Sequence, residues 1–317
     1  MAMAAFMRAR TLAPDVDPLK LIGAGGTASL ATDRPKRGER RIHAAVQRAD
    51  CTVVYSLPLI DDSPSRAADE EVAAGFLLWA IAESCGVDAA DLEASLPLGR
   101  HEELRRCEAE AAHPELTELL LGARRRAVLR PGSSVSYFDE GEAPRIFAVF
   151  PGAFNPPHAG HLRMAAVAEA RLKQPLVWEL SMANVDKPPL DFISLRTRIQ
   201  ALRFEDHDRL IALTGAATFR EKAALFSGAT FVVGADTMLR IAEPRYYGGN
   251  SQLRDEAIAE IAQQDCRFLV FGREVDRQFM TLGDLKLPVE LRNLCEEVPA
   301  AEFREDVSST VLRKGPP

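Results

Sequence analysis

The chain has 317 residues, 47% hydrophobic and 27% charged, with a formal net charge of −7, a composition that suits a globular protein of about two domains. Its sequence pI of about 5.5 argues against gripping long nucleic acid, which needs a basic surface, and no run of about 18 uncharged apolar residues is present to span a membrane. The five cysteines, Cys51, Cys85, Cys107, Cys266 and Cys295, form no CxxC pair and are odd in number, so neither a zinc site nor a disulfide framework is expected; they read as reduced thiols in a cytoplasmic protein.

Residues 1–10 are Ala-rich with two arginines and lack the apolar core of a secretory signal, so they read as a frayed start. Residues 21–29 (LIGAGGTAS) are Gly-rich but lack both the Gly-x-Gly-x-x-Gly spacing and a Walker lysine, which weighs against a phosphate loop. Short β-branched segments at 42–46 and 52–55 predict strands. Val72, Phe76, Leu77, Trp79, Ala80 and Ile81 recur at helical spacing and predict a helix with one buried face over 69–86. The charged, Leu-studded stretch 102–121 predicts another helix. Residues 130–144 (RPGSSVSYFDEGEAP) are dense in Gly, Ser, Pro and acids and read as a linker, separating a smaller α/β domain at 1–142 from a second domain at 143–317.

Beyond the linker, apolar strands and helices alternate. Strands are predicted at 146–150, 176–180, 210–213, 231–233 and 268–271, and helices at 161–173, 195–204, 219–226 and 254–263. This order predicts an α/β domain with a doubly wound parallel sheet, whose ligands bind beyond the carboxyl ends of the strands.

Directly after the first of these strands comes the string PGAFNPPHAGHL at 151–162. Gly152 lets the backbone turn tightly and approach a ligand. Pro156 and Pro157 stiffen the loop, and Gly160 leaves room above the helix beginning there. A helix start offers free N–H groups and a positive dipole end to phosphate. His158 and His161 can donate hydrogen bonds to phosphate oxygens, where charge builds up during attack on phosphorus.

GAFNPPHAGH resembles the HxGH signature of the nucleotidyltransferase superfamily, which includes nicotinamide mononucleotide, nicotinate mononucleotide and phosphopantetheine adenylyltransferases. The resemblance implies that Gly152, Ala153, Phe154, His158, Gly160 and His161 bind ATP phosphates. It also implies a second motif, ISSTxxR, which Val307-Ser308-Ser309-Thr310-Val311-Leu312-Arg313 matches. Ser308, Ser309 and Thr310 would then hold the β- and γ-phosphates at a short helix start, with Arg313 reaching the same phosphates.

Residues 178–189 (WELSMANVDKPP) resemble the loop that receives the acceptor, which makes Trp178, Lys187, Arg196 and Arg198 acceptor-binding candidates. Gly234 and Asp236 resemble the Gly-x-Asp turn that contacts the ribose, and Arg273 the arginine near the adenine. Where mononucleotide enzymes carry a tryptophan after that turn, this chain has Pro244-Arg245-Tyr246-Tyr247, leaving Tyr246 to meet a pyridine ring. Relatives extend the second motif into a longer helix, whereas only residues 314–317 follow here.

Residues 20–86 resemble the latter half of the CinA C-terminal family, some members of which deamidate nicotinamide mononucleotide. The resemblance implies a glycine loop at 21–29, followed by a strand and a long helix. The serine motif of those deamidases would lie before Leu21 and is not found there, so no deamidase activity is expected, and a structural, dimer-forming or ligand-sensing role is.

The implied reaction is in-line transfer of AMP from ATP, with Mg²⁺ bound mainly by substrate and water, to a small phosphorylated acceptor in pyridine nucleotide (NAD) biosynthesis. No protein metal site, long nucleic acid or membrane is expected as a partner, and a homo-oligomer stays open. Two other readings stay open too: a cytidylyltransferase acting on a phospho-alcohol, and a regulatory protein that binds nucleotide without turnover.

Overall fold

The computed structural model describes residues 1–32, 38–60, 65–99, 102–132, 135–139, 141–275 and 278–304. The chain clusters into two compact units, one formed by Met1–Leu121 with Pro188–Leu195 and the other by Gly122–Lys187 with the residues from Arg196 onward.

The first unit runs α1 (Ala2–Leu12), β1 (Ile22–Ser29), β2 (Arg40–Arg48), β3 (Cys51–Leu59), α2 (Arg66–Ser84), α3 (Ala90–Ser95), β4 (Arg105–Ala111) and α4 (Pro114–Leu121). Its four strands form one antiparallel sheet in the order β1-β2-β3-β4. The expected helix α2 starts at Ser65, whose hydroxyl accepts from Ala68 N–H, the usual way to satisfy an orphan donor. Its stripe of Val72, Phe76, Trp79 and Ala80 packs on Ile42, Ala44, Val46, Tyr55 and Leu57 of the sheet. On the other face Phe192 N–H donates to Thr52 Oγ1.

Three expectations for this unit are corrected. The start is no frayed end: α1 buries Ala2, Met3 and Phe6, the last completely, and Arg10 donates to the carbonyls of Leu120 and Leu121 that end α4. The glycine loop expected at 21–29 is the strand β1. Its glycines make room for α1, since a Cβ on Gly23 would stand 2.1 Å from Phe6 N and one on Gly25 2.7 Å from Met1 Cβ. The helix expected over 102–121 is a strand followed by a short helix. β3 offers the free edge that Arg105–Ala111 pairs with, and those hydrogen bonds outweigh a helical preference that tertiary context routinely overrides. Pro114 then opens α4 at a position that needs no N–H partner.

The second unit carries β5 (Arg126–Leu129), β6 (Ala148–Pro151), α5 (Ala159–Leu172), β7 (Leu176–Ser181), most of α6 (Phe192–Glu205), β8 (Ile211–Thr214), α7 (Phe219–Leu225), β9 (Thr230–Gly234), α8 (Ala235–Ala242), α9 (Ser251–Gln263), β10 (Arg267–Phe271), a small hairpin β11 (Arg273–Val275) and β12 (Gln278–Met280), α10 (Val289–Arg292) and β13 (Cys295–Val298). Seven strands form one sheet in the order β13-β10-β9-β6-β7-β8-β5. Every pairing in it is parallel except β5 with β8. This is the predicted doubly wound α/β sheet flanked by helices. Residues 231–233 and 268–271 are buried without alternation, as strands covered on both faces must be. β5 lies before the predicted boundary at 142 yet belongs to this sheet, because Ala127, Val128 and Leu129 are fully or nearly fully buried there.

The chain leaves β6 toward β7 and β8, then crosses back to β9 on the other side of β6. The carboxyl ends of β6 and β9 therefore flank the switch point where such sheets open a crevice.

Candidate active site

The loop 151–162 leaves β6 at this switch point. Gly152 N–H donates to Glu179 O at 3.0 Å, and a Cβ on Gly152 would meet the Phe154 ring at 2.5 Å. Glycine is required there because Phe154 folds back over it. Phe154 has a φ of +42°, a region costly for a side-chain-bearing residue, and its burial holds it in place. Its ring stands edge-on to Phe150, Trp178 and His161. Phe154 and Trp178 thus have another place than expected. Both are at most 1% exposed, so they anchor the loop from inside and offer no surface to nucleotide or acceptor.

His158 is the N-cap of α5, and its ring centroid lies 3.7 Å from that of His161. His161 Nδ1 accepts from His158 N–H at 3.2 Å. Burial, first, then the neighbouring His158 and the charge of Arg273, push the His161 pKa down to about 3, so the imidazole is neutral at physiological pH. A neutral imidazole accepting at Nδ1 carries its proton on Nε2. His161 is therefore a fixed single donor, uncharged, at the first turn of a helix.

Gly234 ends β9 and opens α8. A Cβ there would meet Asp236 Oδ1 at 2.5 Å and Arg273 Cδ at 3.2 Å, and Arg273 Nε lies 3.6 Å from Asp236 Oδ1. His158, Gly160, Gly234 and Arg273, all expected from sequence, line one shallow, open cleft. Sequence reasoning missed four more lining residues, Met164, Phe271, Gly272 and Phe303. Met164 stands one turn after His161, a helical spacing that could have found it. Phe303 follows the last strand with no local signal, and its ring meets Phe271 edge-on at 5.0 Å.

The acceptor candidates separate. Arg198 Nη1 donates to Ala153 O at 2.9 Å, so it braces the motif loop directly. Arg196 lies half-buried on α6, while Lys187 is exposed in the segment after β7. Tyr246 lies just beyond α8, where Arg240 and Arg245 both donate to its hydroxyl. Ser308, Ser309, Thr310 and Arg313 lie outside the described residues.

The sequence also did not announce a buried ion pair at the ends of β7 and β8. Lys222 Nζ donates to both oxygens of Glu179 at 2.7 Å and to Ala216 O at 3.0 Å, and Thr214 Oγ1 donates to Glu179 as well. Glu179 is 1% and Lys222 5% exposed. Removing either partner would strand a buried charge, which is strongly destabilising.

A parallel sheet whose middle strand runs into a glycine-bearing loop, with two histidines at a helix start, is a nucleotide-binding α/β domain of the nucleotidyltransferase type. The chain belongs to the cytidylyltransferase-like family, whose family model matches residues 149–315, just over half of it. The match takes in both the 151–162 and the 307–313 strings. Comparison with curated proteins finds no match. Among the described residues, no helix is long and apolar enough to cross a membrane.

Proposed function

We propose that this nucleotidyltransferase domain moves AMP from ATP to the phosphate of nicotinate or nicotinamide mononucleotide, releasing pyrophosphate. The observation that carries the reading is the His158–His161 pair at the first turn of α5. A neutral donor with its proton held on Nε2 faces phosphate without needing a protonation step, and it costs no reorganisation when charge develops on the oxygens around the α-phosphorus. Attack is in line by the acceptor phosphate, and the protein supplies positioning and charge stabilisation with no covalent intermediate.

Arg273 and Asp236 would address the ribose and base, while Ser308, Ser309, Thr310 and Arg313 would hold the departing pyrophosphate. The Mg²⁺ that accompanies ATP would be held mainly by phosphate oxygens and water, as this hard, tightly hydrated cation usually is. The first unit has no catalytic part in this reading, and release of ammonia from nicotinamide mononucleotide would contradict that.

The family description favours one rival, cytidylyl transfer to a phospho-alcohol. Pyrophosphate release is the deciding assay, with ATP or CTP against both mononucleotides, phosphopantetheine and glycerol 3-phosphate. Release with ATP and a mononucleotide is expected. Release only with CTP and glycerol 3-phosphate would overturn the adenylyl reading, and silence with every acceptor while ATP binds would favour a regulatory protein.

A further inference from the structure

A second glycine-backed ring stands where β10 ends. A Cβ on Gly272 would meet the Phe279 ring at 2.6 Å, so the ring fills the place of the side chain that Gly272 lacks. Phe279 reaches that place through the hairpin β11–β12, whose register pairs Arg273 with Met280 and Glu274 with Phe279. Side chains alternate along a strand, so Phe279 and Glu274 share one face of the hairpin, and Arg273 and Met280 share the other. Met280 packs against the core of the sheet. Phe279 is half-buried and carries the Arg304 guanidinium over its ring, 4.8 Å from the centroid.

The ring therefore joins two walls of the cleft. Gly272 and Arg273 line it from the hairpin side, and Phe303, the neighbour of Arg304, lines it from the segment after β13. Arg273 Nε stands 3.6 Å from Asp236 Oδ1, too far for a good hydrogen bond, so that carboxylate does not fix the guanidinium by itself. The place of Arg273 is set by where the hairpin puts its backbone. Strands of three residues each hold a shape poorly on their own, and the ring locked on Gly272 supplies the missing restraint.

We propose that Phe279 is a positioning residue for the nucleotide: locked on Gly272 and stacked under Arg304, it holds Arg273 in the cleft for the ribose and base. The inference rests on the nucleotide reading of Arg273 above. A guanidinium held in place before binding loses less freedom when the nucleotide arrives, and that saving appears as affinity.

Calorimetric titration of ATP and of CTP into the full chain and its variants tests this, with thermal unfolding to confirm that each variant is folded. Phe279→Ala is expected to weaken binding of the preferred nucleotide about tenfold, the scale of one lost contact to a charged group. Arg273→Gln is expected to lose a similar amount. Adding Phe279→Ala to Arg273→Gln is expected to cost no more than about twofold further, since both act through one guanidinium. Phe279→Tyr keeps the ring and is expected to bind within about twofold of the unaltered chain. If Phe279→Ala does not fold, Phe279→Leu, which offers Arg304 no ring face, carries the same expectations. Losses that multiply in the double variant, full binding without the ring, or no nucleotide bound by the unaltered chain would overturn the assignment. Pyrophosphate release is measured on the same samples. The expected binding losses without release from any acceptor sink the transferase reading and leave Phe279 in its role, while release with an unchanged nucleotide KM in Phe279→Ala does the reverse.

Discussion

Residues 22–29, which form β1, and 151–162, which lead out of β6, are both glycine-bearing stretches, and both suggest phosphate binding at first sight. In the first, the space that side chains would occupy is filled by helix backbone, with Phe6 N 2.1 Å from a Cβ on Gly23. In the second, that space belongs to an aromatic ring from the same loop, with Phe154 at 2.5 Å from a Cβ on Gly152. One set of glycines lets a helix lie on a sheet. The other lets a loop fold over its own anchor and present a helix start. Glycine content says that something comes close, and only the neighbour says what.

This comparison can be sharpened or broken by substitution. The largest effect is expected at the helix start: His161→Ala should lower the rate of pyrophosphate release at least about a hundredfold, the scale of a lost transition-state donor. Near-normal turnover would remove the loop from the chemistry. Gly23→Ala should next cost about 1–3 kcal/mol of stability in denaturant unfolding, the usual penalty of overpacking, with turnover of the folded protein within about twofold. A lowered turnover at unchanged stability would make β1 the phosphate loop after all. Smallest, Gly152→Ala should displace the Phe154 ring and reduce kcat/KM about tenfold, because small misplacements of reacting groups are costly. No change in kcat/KM would mean that Phe154 does not set the loop.

Much of the second unit was legible. The strands at 176–180 and 268–271 and the helix at 161–173 read correctly because their signal is local: an apolar run, a helical period, a loop bounded by glycine and proline. His158, Gly160, Gly234 and Arg273, singled out by the family resemblance, line one cleft because each sits at the end of a strand or the start of a helix. The helix expected over 102–121 failed because an edge strand needs only a free neighbour, here β3, and its charged residues look helical. Trp178 was misplaced because an aromatic within a strand reads alike whether it faces a ligand or the core.

By itself the sequence determined the alternation of elements, the doubly wound sheet and the position of the histidine loop, since periodicity and turn chemistry act over a few residues. Tertiary structure alone decided which glycines serve a helix and which a loop, and that the His161 proton rests on Nε2. It also paired Lys222 with Glu179, 43 residues away, and Arg240 with Asp186, 54 residues away. Burial and pairing of charge depend on what the rest of the chain brings alongside, and no local pattern records that.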